Sequence, residues 1–304
     1  MLEDHLGHLP GKLLGFIYIL VFLLAAALTL RSFVAFAESM FMYGFPVSIL
    51  IIAALIPAFY MLRISLQVYA MVTEIIFLVS LPLLLLIILL ALQNSDATNL
   101  MPIGYVSLRD LATASTQSFW HLSNLAIILT LAYYSKDRSK IPTTLFKTYI
   151  ILIIAGFLSV IASIMHLGSD LASRLAFPIF TILRSVSIGF IQNIEVIFIS
   201  LFLAGTSIGL ALYWFMACYT CQEVFKLKDY RPLLGPTAII IGLFTVQVSP
   251  NSGILYLIAR NVAPFLFGFF FIVIPLFLAT VLLFKPSAGT YQGSGLQADD
   301  SSSD

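Results

Sequence analysis

Charge is what this chain has least of: only 10% of its 304 residues are Asp, Glu, Lys or Arg, while 61% are hydrophobic. A soluble domain must cover its surface with polar groups, so this composition excludes one and leaves a polytopic membrane protein. Fifteen Lys and Arg stand against fourteen Asp and Glu. No net charge therefore attracts nucleic acid or an acidic substrate, and the placement of charges says more than their sum. Cysteine is scarce too. Cys218 and Cys221 lie one helical turn apart in an apolar run, where a zinc site would be two ligands short and a disulfide within one helix is poorly placed, so both read as packing residues. A phosphate-binding glycine loop, a metal-ligand cluster, a serine elbow and a hydrolase's paired carboxylates are all missing, and nothing points to an enzyme, a cofactor or a metal. The first apolar run is long enough to span and lacks a small-residue cleavage pattern, so a short cleavable leader is not expected.

What is present is long apolar helix. A bilayer core of about 30 Å takes about 20 apolar residues, and residues 13–37, 46–62, 66–92, 145–166, 194–220, 232–248 and 264–284 meet that length. An eighth segment, residues 108–134, is half polar. Its purely apolar run, 125–131, is too short to cross alone, and Thr113, Ser115, Thr116, Gln117, Ser118, His121, Ser123 and Asn124 precede it. Charge bias argues that it crosses. The connector 134–147 carries Lys136, Arg138, Lys140 and Lys147 against Asp137 alone and reads as cytoplasmic. With eight spans, Lys12, Arg63, those four, Lys226, Lys228, Arg231 and Lys285 share the cytoplasmic side, against Arg109, Arg174, Arg184 and Arg260 outside. Both termini are then cytoplasmic. Residues 1–12 read as a connector or surface helix, 174–188 as a short outer lid containing Pro178, and the Gly-, Ser- and Asp-rich residues 285–304 as a disordered tail.

A polar half-span is the strongest functional signal, because backbone at membrane depth goes unpaired only where protein or a water-filled cavity surrounds it. Broken helices of this kind mark solute sites in transporters. The break is expected at Ser118, Phe119, Trp120 and His121, where freed backbone groups can meet the carboxylate and ammonium of a small zwitterion. The alternative is that the hydroxyls bond back to their own helix and Trp120 only packs. Small residues at mid-depth, Ala25 with Ala26 and Ala27, and Ala204, Gly205, Thr206, Ser207 and Gly209, serve helix contact and solute access equally well. Ala25, Gly205, Thr206 and Gly209 join the candidate ligand site. Arg31, Glu38, Glu74 and Glu195 are isolated charges in or at spans, as proton carriers or structural polar groups; a structural ion pair suits Arg31 and Glu38, seven residues apart on one face.

Several stretches occur in a recognisable order. Gly7 to Phe22, Arg31 to Ala37 followed by Glu38, Asn99-Leu-Met-Pro102, Arg174-Leu-Ala-Phe-Pro178, Glu195 at the head of the sixth span and Leu227-Lys-Asp-Tyr-Arg-Pro232 resemble the B subunit of the spore nutrient-germinant receptor. That family is similar to amino-acid permeases of the APC superfamily. The resemblance implies an all-α, LeuT-like bundle of ten spans in two inverted repeats around a midplane site, of which this chain would carry the third to the tenth and lack the first two. Residues 13–107 are then the three-span remnant of the first repeat, and 108–284 the five-span second repeat, whose broken first span falls at Ser118. It also implies a function: sensing a small germinant such as an amino acid, in the spore inner membrane, with an A-type membrane subunit and a C-type lipoprotein as partners. Two other readings stay open, a proton-coupled amino-acid transporter using His121, Glu74 or Glu195, and a truncated, non-functional fragment.

Overall fold

The computed structural model describes residues 8–40, 44–93, 95–101, 104, 106–122, 127, 131, 137–185, 194–249 and 251–284, with backbone alone at 40, 116–122, 138, 184–185, 194–196, 279 and 281–284. Every regular element among them is helical. Six helices are long and apolar enough to cross a membrane: α1 (His8–Met40), α2 (Val47–Ile64), α3 (Leu66–Gln93), α5 (Ile141–Leu167), α8 (Ile194–Phe225) and α9 (Leu234–Val248) with the 3₁₀ turn before it. A pair bent by 42° makes a seventh if counted as one span. It consists of α10 (Ser252–Asn261) and α11 (Ala263–Gly268), the latter continuing through a π turn (Phe269–Val273) into α12 (Ile274–Phe284). The remaining helices are α4 (Leu108–Leu122), α6 (Ser169–Arg174) and α7 (Pro178–Ser185).

All seven apolar stretches expected to span form helix, with two boundary corrections. α1 begins at His8, so His8 to Lys12 belong to it rather than to a separate connector. Before 264–284 stands α10, which the sequence did not mark: Asn251 Oδ1 accepts from the Ile254 amide at 2.9 Å and so starts a helix after α9 has ended. In the stretch 174–188 expected as a lid, Pro178–Ser185 forms α7, α6 ends at Arg174 where the stretch begins, and 186–188 lie outside the described residues.

The centre is α1, because it has no polar face to turn outward. Ala25, Ala26, Leu30 and Val34 are all 0% exposed. Its most extensive contact is with α8, and α9 and α2 cover further sides. At one end of that contact a side chain on Gly15 would run into Val224 Cγ2. Midway, a Cβ on Gly209 would sit 3.6 Å from Thr29 Cγ2. At the other end Phe36 and Phe202 bring their ring centroids within 4.1 Å. α8 joins α9 through Trp214, whose indole N–H donates to Thr237 Oγ1 at 2.6 Å while that hydroxyl donates to the Leu233 carbonyl at 2.6 Å. Cys218 lies beside them, its Sγ 3.4 Å from Thr237 Oγ1.

Contacts at helix ends place the charges. The exit from α8 is a left-handed turn: Lys226 has φ 53°, and the Leu227 amide donates back to the Gln222 carbonyl at 2.9 Å. The chain then clamps α2, since the Tyr230 hydroxyl donates to the Leu62 carbonyl at 3.0 Å and Arg231 to the Ile64 carbonyl at 3.3 Å. Gly15 against Val224 brings the start of α1 to the same end of the bundle. Lys12, Arg63, Lys226, Lys228 and Arg231 thus share one face.

At the opposite face α3 and α5 finish together. His166 Nδ1 lies 3.1 Å from the Ala91 carbonyl, and the Asp96 amide and the Asn99 side-chain amide both donate to the Met165 carbonyl at 3.0 Å. α5 therefore starts at the end that α3 left, and the chain traverses the height of the bundle between Gln93 and Ile141. Within that stretch Ile127 is 1% exposed in the central cluster, and Leu131 packs against it. Residues 123–126, 128–130 and 132–136 lie outside the described residues, and the half-polar segment is not among the six helices, or seven with the bent pair, that are long and apolar enough to cross.

Two results are expected from thermal unfolding of the purified protein in detergent. Gly15→Ala lowers the midpoint, and adding Val224→Ala recovers most of the loss, since the clash is with that valine alone. Thr237→Val, which leaves the buried Trp214 N–H without an acceptor, costs about 1–3 kcal/mol. The Trp214→Phe/Thr237→Val double variant loses less than the two single losses added together.

Candidate functional site

The contact between α1 and α8 brings together two of the small-residue candidates. Ala25 lies at its centre, 0% exposed, and its carbonyl accepts the Thr29 hydroxyl at 2.8 Å. Thr29 in turn is the side chain that Gly209 leaves room for. Thr206 is half-buried, and its neighbour Ser207 is buried, donating to the Leu203 carbonyl at 2.9 Å with the Ala54 carbonyl of α2 at 3.5 Å. Gly205 differs: it is exposed on the outer side of α8, and a Cβ there would meet nothing within 4 Å. It belongs to the surface rather than to this seam.

The break in the polar half-span requires a correction. α4 runs as helix through Ser118, Phe119, Trp120 and His121 to Leu122, so the backbone is not interrupted at those four residues. Their side chains, and residues 123–126, lie outside the described residues. α4 packs against α10 and α11. The interruptions that are described fall on those partners: the 42° bend between α10 and α11, then the π turn. Single π turns inside helices shift the hydrogen-bond register and leave carbonyls for other donors. Here Tyr18 of α1 takes that role, its hydroxyl donating to the Phe270 carbonyl at 2.6 Å.

The charged candidates separate in the same way. Arg31 is 4% exposed, donates through Nε to the Ser249 carbonyl at 2.7 Å and pairs with Glu38 Oε2 at 3.0 Å. The pair expected along one face of α1 is there, and its second partner is the end of α9. Ser249 continues the network, its hydroxyl donating to the Asn251 carbonyl at 2.8 Å, beside the cap of α10. Arg31 thereby fixes the junction from which the bent span departs. Glu74 is exposed on α3. The Glu195 side chain lies outside the described residues. Among the described residues no group of three His, Cys, Asp or Glu is placed to hold a metal ion.

Sequence reading missed three groups that line this region: Tyr18, Tyr69, whose hydroxyl donates to the Ile208 carbonyl at 3.3 Å, and Thr245, bonded to Ile241 at 2.7 Å with the Ala27 carbonyl at 3.4 Å. Each is one of a few hydroxyls in an apolar helix, with no spacing to mark it. The usable signal was their rarity, because a hydroxyl at membrane depth has to find a partner. Together these contacts form a small-residue seam at mid-depth, flanked by the Arg31-held end of α9 on one side and a π turn on the other.

Comparisons with known proteins give the family. A family profile described as "Spore germination protein" matches residues 1–253, from the start of the chain to the beginning of α10. "Spore germination protein KB" of Bacillus subtilis (strain 168) is 23% identical over 293 residues, covering 93% of this chain and 78% of that protein. No solved structure is significantly similar. With the profile running through α1, α8 and α9, which build the seam, the chain belongs to the spore germination protein family.

Proposed function

We propose that this chain is the B-type membrane subunit of a nutrient-germinant receptor in the spore inner membrane, sensing a small molecule such as an amino acid and passing the signal to an A-type membrane subunit and a C-type lipoprotein. The observation that carries the reading is the family match over residues 1–253, coincident with the buried seam of α1 and α8. Recognition on this reading occurs where Ala25, Thr206 and Gly209 meet the polar half-span containing Ser118, Phe119, Trp120 and His121. Residues 13–107 and 108–284 act as parts of two inverted repeats, both termini being cytoplasmic. Binding shifts the balance between two arrangements of the helices, which requires only that the solute prefer one of them.

A second reading, proton-coupled amino-acid transport, is favoured by one observation. Glu74 is an exposed carboxylate eight residues into α3, a helix whose surroundings are otherwise apolar. A carboxylate at that depth is costly toward lipid and suits a group that takes up and releases a proton.

Germination of spores carrying the altered chain tests the first reading. Thr206→Phe and Trp120→Ala are expected to raise the amino-acid concentration for half-maximal response about tenfold, the equivalent of about 1.4 kcal/mol of binding. Protein amounts, followed by immunoblotting, stay normal. Unchanged dose–response curves at normal protein levels would remove these residues from the site. Proteoliposomes holding this chain alone test the second: receptor function predicts no amino-acid uptake driven by a pH gradient, whereas transport predicts uptake that Glu74→Gln abolishes.

A further inference from the structure

A second cavity lies away from the mid-depth seam. It is an open cleft of about 530 Å³ beneath α6 and α7, between α5 and the ends of α1 and α8 that carry Phe36 and Phe202. Its floor is aromatic. Phe36 stands with ring centroids 4.9 Å from Phe177, 5.4 Å from Phe180 and 4.1 Å from Phe202, and Phe198 closes the group at 5.8 Å from Phe180. One wall is α5, which presents Ser159 and Ser163 a turn apart.

Two features of the lining define what fits. None of the described lining residues carries a charge; the nearest ionic groups on the lid, Asp170 and Arg174, pair with each other at 3.0 Å along exposed α6. A zwitterion would therefore lose its hydration without gaining a counter-charge, which excludes the class of ligand proposed for the seam. The two hydroxyls of the α5 wall, moreover, are already spent as donors, Ser163 to the Ser159 carbonyl and Ser159 to the Ala155 carbonyl, both at 2.7 Å; on the lid Ser173 donates to the Asp170 carbonyl at 2.8 Å, and Ser169 stands exposed at the rim. What remains on each α5 oxygen is a lone pair, which can only accept. Phenyl rings in a space of this size accommodate an aromatic or branched apolar body, and the serines call for one N–H or O–H on it.

We propose that this cavity is a second small-molecule site, separate from the seam, that takes an uncharged aromatic molecule bearing a hydrogen-bond donor, with α6 and α7 as its lid. Because Phe36 and Phe202 belong both to the cavity floor and to the contact of α1 with α8, occupancy acts on the end of the helix pair around which the bundle is built.

The test uses the full chain in lipid nanodiscs, with the lining residue Ala176→Cys as reporter and Lys228→Cys, exposed in the connection between α8 and α9, as control. N-ethylmaleimide modification is followed by peptide mapping, so that Cys218 and Cys221 are scored separately. Indole is the probe. It is expected to slow modification at position 176 and leave position 228 unchanged, and N-methylindole, which lacks the donor, to need about fivefold higher concentration, the fold-change of one hydrogen bond. Adding Ser163→Ala removes that preference, and Ser163→Phe, which fills the space, removes protection altogether. Equal slowing at both positions, or none at 176, overturns the proposal. So does cross-linking of residues 159–164 by a phospholipid with a photoreactive acyl chain that indole fails to displace, which would make the cavity a lipid site. The readout is binding to the isolated chain, so it stands or falls independently of any germination response.

Discussion

α1 and α8 touch at three heights, and each contact is of a different kind. At one end glycine is needed, because Val224 occupies the place of any side chain on Gly15. At mid-depth Gly209 faces Thr29 at ordinary van der Waals distance. At the far end two phenyl rings, Phe36 and Phe202, meet. In a bilayer, apolar side chains gain nothing by leaving lipid for protein, so helices associate through close packing and hydrogen bonds rather than through a hydrophobic driving force. A pair that fits along its whole length is therefore the element on which the others can be assembled. α2, α9 and the π turn all attach to it.

Those attachments share one chemistry. Tyr18, Tyr69, Tyr230, Arg31 and Arg231 each reach across to a backbone carbonyl of another element, at Phe270, Ile208, Leu62, Ser249 and Ile64. Three of the five accepting carbonyls lie at a helix end, within the last residues of α2 or just after α9. Carbonyls there have lost their intrahelical partners and must find a donor or water. The motif around Asp229-Tyr230-Arg231-Pro232 now has a physical meaning: Lys226 turns the chain, Asp229 Oδ1 accepts the Arg231 amide at 3.2 Å, and the two side chains between them close the end of α2. Asn99 does the same for α5. Among the described residues no buried side-chain N or O lacks a partner.

Much of this was legible. Composition alone specified the class, and run length specified seven helices. The seven-residue spacing of Arg31 and Glu38 marked an ion pair. Other features were not. Periodicity carries no information about depth or partner in a helix that is apolar all round, so nothing distinguished α1 as the centre or Gly209 as a contact from Gly205 as surface. The interruption was sought in α4 because hydroxyls and amides cluster there, yet Ser and Thr satisfy themselves within an intact helix, as Thr113 does toward Arg109 and Ser115 toward Leu111, both at 2.8 Å. The bend falls instead at Val262, just before Pro264 in the first turn of α11, and the π turn lies in a phenylalanine-rich stretch, where a register shift leaves no compositional trace.

On the receptor function proposed above, the position of those interruptions bears on how a signal would leave the seam. A long, tightly fitted pair resists relative movement, since sliding α1 along α8 would set Val224 against a neighbour of Gly15. The α10–α11 bend has no such lock on its own residues. It is held at its origin by Arg31 through Ser249, and further along by Tyr18 through Phe270, both donors coming from α1. Arg31 and Tyr18, on one helix, thus hold the start of the bent span and its π turn. A solute that alters the packing of α4 against α10 and α11 need not deform the core. It need only favour a different setting of the bent span about two hydrogen bonds, a change small enough for the differential binding of a small molecule to drive.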